Sequence, residues 1–163
     1  MTDAPAIYNS RLIKNYLEYL EKHHPDVPLD ELLAASDIGR AEVEDPGHWL
    51  TQPQINQFHK AMNQATSDPR IARDAGRFAQ ASRTSGLLKR YALGFLTPMM
   101  AYRAVGKLAS EWTRATDMAT KPISAQGIAI TVKPRAGVRE QPFQCANRIG
   151  MFEATAKLFT GEF

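Results

Sequence analysis

Apolar residues recur every three or four positions along most of the first 112 residues, which predicts a series of amphipathic helices. The first apolar stripe consists of Leu12, Ile13, Tyr16, Leu17 and Leu20. Asn9 or Ser10 can accept the free N–H groups at the start of this helix, and Pro25 ends it. A short second helix is predicted on Leu29, Leu32 and Leu33.

Later helices are predicted from their start signals. Thr51-Gln-Pro-Gln54 has the form of a capping box, and Asp68-Pro69 and Thr97-Pro98 place Pro in a first turn. The helix after Pro69 is expected to end near residues 82–86, and Asp45-Pro-Gly-His48 is expected to form a turn. Six or seven helical segments are therefore expected before Ala115.

The period of the pattern changes after residue 115. Ile128, Ile130 and Val132 alternate with less apolar residues between Gly127 and Lys133, which predicts a half-buried strand. Residues 117–124 are its expected partner, with Pro122 confining that strand to an edge. A last helix, closed by Gly161, is predicted to bury the stripe Cys145, Ile149, Phe152, Ala156 and Phe159. The predicted fold class is α+β: a mostly helical N-terminal two-thirds, a small antiparallel hairpin or sheet, and a C-terminal amphipathic helix.

A two-stranded hairpin is only marginally stable on its own, so either the last helix covers it or further strands lie beyond this chain. We therefore interpret residues 1–163 as a single domain from a longer protein. No stretch approaches the length of a membrane span, no secretory signal is visible, and one cysteine excludes an internal disulfide. A cytoplasmic location is expected.

Charge is divided by position. Residues 1–69 carry 5 Lys and Arg against 11 Asp and Glu, a net charge of −6, whereas residues 70–163 carry 15 against 6, a net charge of +9. We interpret the basic run Arg70, Arg73, Arg77, Arg83, Lys89 and Arg90 as a solvated face that pairs with the acidic half, with a phosphate or carboxylate site as the alternative. Direct nucleic-acid binding is not expected, because the neighbouring aromatic residues Phe78 and Tyr91 belong to the apolar stripes and not to the basic surface.

Candidates for reactive chemistry are few. His23 and His24 are interpreted as helix-end residues and His48 as a turn residue, while His59 is expected to pack with a hydrogen bond. None of the four has metal-ligand spacing, so no metal or cofactor is predicted. Cys145 is interpreted as a small buried hydrophobe, with a reactive thiol as the alternative.

Aromatic and methionine residues cluster between positions 91 and 112, and they form either a core or a pocket for an apolar ligand. The cluster contains Tyr91, Phe95, Met99, Met100, Tyr102 and Trp112.

The order of several segments resembles that of known sensor domains. These segments are residues 26–38, Val43-Glu-Asp-Pro, Trp49-Leu-Thr, residues 67–77 and residues 88–102. In this order they resemble the N-terminal ligand-sensing domain of AraC-type transcription regulators and the sensor regions of bacterial histidine kinases. The tail from Trp112 through Val132 to Gly150 is similar to haem-nitric-oxide-binding and 4-vinyl-reductase domains. The resemblance spans roughly residues 8 to 160.

The resemblance implies a non-catalytic module of a two-component or transcription-regulatory protein, which binds a small molecule between helices and sheet and signals to an output domain or partner protein. The expected pocket is lined by Tyr91, Phe95, Met99, Tyr102, Trp112 and Ile130, with Arg77 or Arg90 as an anion anchor. No haem is expected, because the last helices contain no axial histidine. The alternatives are a ligand-free interaction module, including a homodimer, and an enzyme that uses Cys145.

Overall fold

The computed structural model describes residues 4–79, 81–82, 99–100, 102–103, 109–124 and 127–160, with the side chains of the last helix described through Lys157. The architecture is α+β, as predicted. The helices whose bounds the structure describes are α1 (Arg11–His23), α2 (Leu29–Ala34), α3 (Arg40–Glu44), α4 (Gln52–Thr66), α5 (Ile71–Phe78) and α6 (Pro142–Thr160). The strands are β1 (Ala6–Asn9), β2 (Trp49–Thr51), β3 (Thr116–Pro122) and β4 (Ile128–Pro134). None of the described helices has the length and apolarity needed to cross a bilayer.

The N-terminal helices follow the predicted apolar stripe and start signals. Asn9 Oδ1 accepts the backbone N–H of Arg11 at 3.1 Å, so one of the two expected residues caps α1. Ser10 instead donates its hydroxyl to the carbonyl of Asp45 at 2.6 Å. At the start of α4 both hydrogen bonds of the Thr51–Gln54 capping box are present.

Two short strands lie within the part of the chain that the pattern predicts as mostly helical, and no strand was predicted there. β1 and β2 pair antiparallel, with Tyr8 opposite Leu50 and Asn9 opposite Trp49. The segment after the 3₁₀ turn Ala109–Glu111 adds to β1, because Arg114 N donates to the carbonyl of Ile7 at 2.7 Å. β1 therefore joins three distant parts of the chain.

The predicted hairpin is present as β3 and β4. Met118 pairs with Val132 and Thr120 with Ile130, which places the alternating apolar residues on one half-buried face. Pro122 ends β3 opposite Ile128, so it interrupts no ladder inside the strand.

The main core lies between α1, α2, α4 and α5. Its most completely buried large side chains are Ile13, Leu20, Leu50, Phe58, Met62 and Ile71. α5 contributes through Ile71 and Ala75 but ends at Phe78, earlier than the expected residues 82–86. The amide of Asn15 donates to the carbonyl of Ala75 at 2.8 Å and so satisfies a buried acceptor in the last turn of α5.

The prediction for the buried face of α6 is wrong. The buried residues are Gln144, Asn147, Gly150, Ala154 and Thr155, whereas Cys145 and Ile149 are exposed. The buried face meets α5 at glycines on both helices: a Cβ on Gly76 would overlap the backbone carbonyl of Asn147, and one on Gly150 would overlap that of Arg73. Two helix backbones can come this close only where neither carries a side chain, so glycine decides which face of α6 is buried.

Candidate functional site

Three of the eight predicted ligand-binding residues, Tyr91, Phe95 and Arg90, lie outside the described residues. Of the others, Met99 and Tyr102 lie in helical backbone and are half-buried. The Tyr102 hydroxyl donates to the carbonyl of Phe152 at 3.1 Å, and the two rings are 6.5 Å apart in an edge-on arrangement. Burial raises the pKa of Tyr102. The structure thus places one predicted ligand residue against α6.

Tyr102 meets α6 on the side that faces away from α5. We call this side the outer face of α6; it consists of Cys145, Ile149, Phe152 and Ala156. The exposed fraction of Ile149 is 40%, while Phe152 is half-buried and its ring contacts that of Tyr102 edge-on. An apolar face with an aromatic ring on one part and exposed aliphatic carbon on another can take up an apolar group.

Trp112 and Ile130 occupy different positions. Trp112 is half-buried, and its carbonyl accepts the N–H of Asn9 on β1. Ile130 lies on the half-buried face of the hairpin opposite Thr120. No hydrogen bond or ring contact within the described ranges joins either of them to Tyr102, so the contacts of Tyr102 involve α6 rather than the hairpin.

Arg77 takes part in an ion-pair cluster between α5 and α6. Glu153 accepts hydrogen bonds from Arg73 and from Arg77, the latter at 2.7 Å, and Arg77 also pairs with Asp74 at 3.1 Å. Hydrogen bonds from Arg73 and Arg77 lower the pKa of Glu153 to about 2. An anion at Arg77 would therefore compete with Glu153.

The expected pairing of the basic run with the acidic half of the chain is wrong for Arg73, and the described carboxylate partners of Arg77 also lie outside that half. Their described carboxylate partners, Glu153 and Asp74, both belong to residues 70–163. Arg148 likewise pairs with Glu140, and each of these two side chains is 15% exposed.

A buried polar cluster, which the sequence did not reveal, ties the start of α6 to β1 and α4. Tyr8 donates its hydroxyl to Gln52, the Gln52 amide meets Gln144 at 3.3 Å, and Gln144 accepts the backbone N–H of Gln141 at 2.6 Å. Burial raises the pKa of Tyr8. The one available signal was Gln144 in the third position of the helix, where it can accept the N–H of the residue before the helix. This cluster joins the start of α6 to β1 and α4.

The histidines lack the surroundings of a metal site. His59 stacks on Phe143 of α6 with ring centroids 3.8 Å apart, and its Nδ1 lies 3.3 Å from the amide of Asn63. Burial lowers the pKa of His59 to about 4. His23 stacks on Tyr19. Within the part of the chain that the structure describes, no three His, Cys, Asp or Glu side chains come together as metal ligation requires.

An open cleft of about 470 Å³ lies between α1 and α3, far from any predicted site residue in the sequence. Its lining consists of Arg11, Lys14, Leu17, Glu18, Glu21, Arg40, Val43, Glu44 and Pro46. Sequence reasoning missed it, because charged residues on one face of an amphipathic helix have the pattern of any solvated surface.

No protein-family model, no curated protein and no solved structure matches this chain.

Proposed function

We propose that this chain is a non-catalytic, cytoplasmic sensory module of a bacterial signalling or transcription-regulatory protein. It binds a small, largely apolar ligand and relays binding to a fused or partner output domain. The observation that carries this proposal is the outer face of α6, where Ile149 is 40% exposed and the Tyr102 ring lies edge-on to that of Phe152. The order of segments that resembles sensor domains supports the same function.

The surroundings of α6 favour a relay over simple storage of a ligand. The inner face of α6 touches the backbone of α5 through Gly76 and Gly150, and Gln144 ties its start to Gln52. A ligand that displaces Tyr102 from Phe152 would act on a helix that cannot shift without moving α5. Packed helices with close backbone contact change position as units, so binding at one face biases the whole arrangement.

The test uses the fluorescent apolar probe 1-anilinonaphthalene-8-sulfonate together with native mass spectrometry of the purified protein. We expect Ile149→Lys to weaken probe binding about tenfold or more, since burial of one isoleucine side chain is worth about 1.5–3 kcal/mol. The matched control is Ile123→Lys, because Ile123 is 69% exposed at the hairpin turn. Equal binding by wild type and both variants would remove the outer face of α6 as the ligand site.

The second candidate function is a homodimerisation or protein-interaction module without a ligand. It is favoured by the exposed Ile149 and by the sheet of β3 and β4, which has no further strand among the described residues. Light scattering after size-exclusion chromatography separates the two functions. A dimer that Ile149→Lys converts to a monomer, with no co-purifying small molecule, supports the interaction module.

A further inference from the structure

The sheet of β3 and β4 leaves the outer edge of β3 open. Just before β3, the carbonyl of Ala115 accepts the N–H of Arg135 at 2.9 Å, so the backbone groups of Ala115 face β4. These groups alternate in direction along a strand, so those of Met118 and Thr120 face away from β4. No hydrogen bond to these outward groups is present within the described part of the chain. The edge can therefore accept a further strand.

The strand β1 does not cover this edge. Arg114 donates to the carbonyl of Ile7 on β1, but Arg114 and Ala115 then form a bend in the chain. Among the described strands, β1 pairs with β2 and β3 pairs with β4, in two separate sheets. The bend therefore directs β3 away from β1 before its own outer edge begins.

The exposed face of β3 carries opposite charges at equal distances from its middle residue. Ala119 lies between Asp117 and Lys121, and all three residues are exposed. Asp117 meets Arg135 through Oδ1 at 2.8 Å, but its side chain is 66% exposed and its Oδ2 has no described partner. No ion pair of Lys121 is present in the described ranges. In an antiparallel pair of two β3 strands centred on Ala119, each Asp117 faces the Lys121 of the other copy, and no like charges are opposed.

We propose that two copies of this chain associate through β3, with the two-fold axis at Ala119. Met118 of each copy pairs with Thr120 of the other through about four backbone hydrogen bonds in total. Asp117 and Lys121 of opposite copies form ion pairs on the exposed face. The two hairpins become one four-stranded sheet, which removes the marginal stability of a two-stranded one. This inference rests on the homodimerisation function given second above, and it assigns the interface to β3 rather than to the outer face of α6.

The first experiment tests the position of the axis with a disulfide. Two residues on the axis form a non-hydrogen-bonded pair with Cα atoms about 4.5 Å apart, and a disulfide spans Cα separations of about 4.4–6.8 Å. Ala119→Cys in a Cys145→Ser background should therefore form a cross-linked dimer when oxidised by glutathione disulfide. The matched control is Thr131→Cys in the same background, because Thr131 is exposed opposite Ala119 on β4 and lies one strand further from the axis. The Thr131 variant should stay uncross-linked.

The second experiment reverses one charge at a time and follows self-association by sedimentation velocity over a concentration series. Lys121→Glu and Asp117→Lys should each weaken association about tenfold, because like charges then face each other at both ends of the pair. An equimolar mixture of these two variants should associate as strongly as wild type, since each copy then meets an opposite charge at both ends. The matched control is Lys133→Glu, which makes the same charge change at an exposed position on β4.

A wild-type protein that stays monomeric at millimolar concentration would overturn this proposal, and so would equal cross-linking at positions 119 and 131. A mixture of the two charge variants that associates no better than either variant alone would overturn it as well. The cross-link needs no charge reversal, so the conclusion stands even where Asp117→Lys folds poorly. A dimer that Ile149→Lys separates and Lys121→Glu leaves intact would overturn the β3 interface while supporting one on the outer face of α6.

Discussion

Replacing Gly150 by alanine tests whether backbone contact between α5 and α6 holds the fold together. A Cβ at position 150 would overlap the carbonyl oxygen of Arg73 and lie 2.9 Å from the backbone nitrogen of Arg77. Ordinary carbon contacts are about 3.5–4.0 Å, so relief of the overlap with the Arg73 oxygen requires the two helices to move apart by about 1.5 Å. This shift would also stretch the buried 2.9 Å hydrogen bond from the Asn147 amide to the carbonyl of Ala72.

The magnitude follows from three effects. Overpacking a tight contact costs about 1–3 kcal/mol, and a buried amide without its acceptor costs about 1–3 kcal/mol. Alanine in place of a helical glycine stabilises by about 1 kcal/mol. The expected net loss in the free energy of unfolding is about 3 kcal/mol, which lowers Tm by about 6–12 °C in a domain of this size.

The assay is urea and thermal unfolding followed by circular dichroism. The control is Gly39→Ala, where the new Cβ would meet only the flexible side chain of Glu42 at 3.3 Å. Gly76→Ala should match Gly150→Ala, and the double variant should lose less than the two single losses combined, because the helices separate once. A Gly150→Ala protein as stable as wild type would refute the glycine contact.

Four further predictions address single groups. The folded-state pKa of Glu153 is about 2, whereas its ordinary value is 4.5. Glu153 therefore contributes stability that is present above pH 4.5 and lost as pH falls to 2. Glu153→Gln should remove this acid dependence and lower the free energy of unfolding by about 1 kcal/mol at neutral pH, as expected for a solvent-screened cluster. The pKa of His59 is likewise lowered, from 6.5 to about 4, so protonation favours the unfolded chain and stability should fall between pH 6.5 and 4. An NMR titration of the His59 ring with a midpoint near 6.5 would contradict this. Asn147→Ala should destabilise the protein by about 1–3 kcal/mol in urea unfolding, whereas the exposed Gln57→Ala should have almost no effect. Cys145 is exposed and should react with a thiol reagent in the native state as fast as in urea; strong native protection would contradict the placement of the outer face of α6.

Local signals in the sequence were sufficient for much of the helical architecture. Thr51, Pro53 and Gln54 predicted the start of α4, and both hydrogen bonds of the capping box are present. The alternation from Ile128 to Val132 predicted β4 in the same way. Capping and strand alternation depend on neighbours in the chain, so a pattern within a few residues can indicate them.

Pairing between distant segments was harder to predict. β1 and β2 have four and three residues, too short for an alternating pattern, and their pairing depends on a partner about 40 positions away. Their apolar residues Tyr8 and Leu50 fit a helical stripe as well as a strand. The strands exist because of tertiary contacts that no local window contains.

The orientation of α6 shows a different limit. The periodicity showed correctly that the stripe from Cys145 to Ala156 is apolar. The prediction that this stripe is the buried face of α6 was wrong. Asn147 and Gly150 lie on the buried face because a side-chain amide and a bare backbone fit the backbone of α5. The signal that could have indicated this face is the run of small residues Ala72, Ala75, Gly76 and Ala79, which marks a close approach of another backbone. The ligand-binding role of Tyr102 stays a prediction, and its contact with Phe152 was not predicted.

The eight-residue helix α5 is covered on one side by Asn15 of α1 and on the other by Asn147 of α6. During synthesis at about 5–20 residues per second, α5 leaves the ribosome about 4–15 s before the residues of α6 that cover it. Throughout that interval the first four helices can assemble while the glycine side of α5 stays open to water. A ribosome that stalls within this interval would hold a chain whose α5 lacks its contacts with α6.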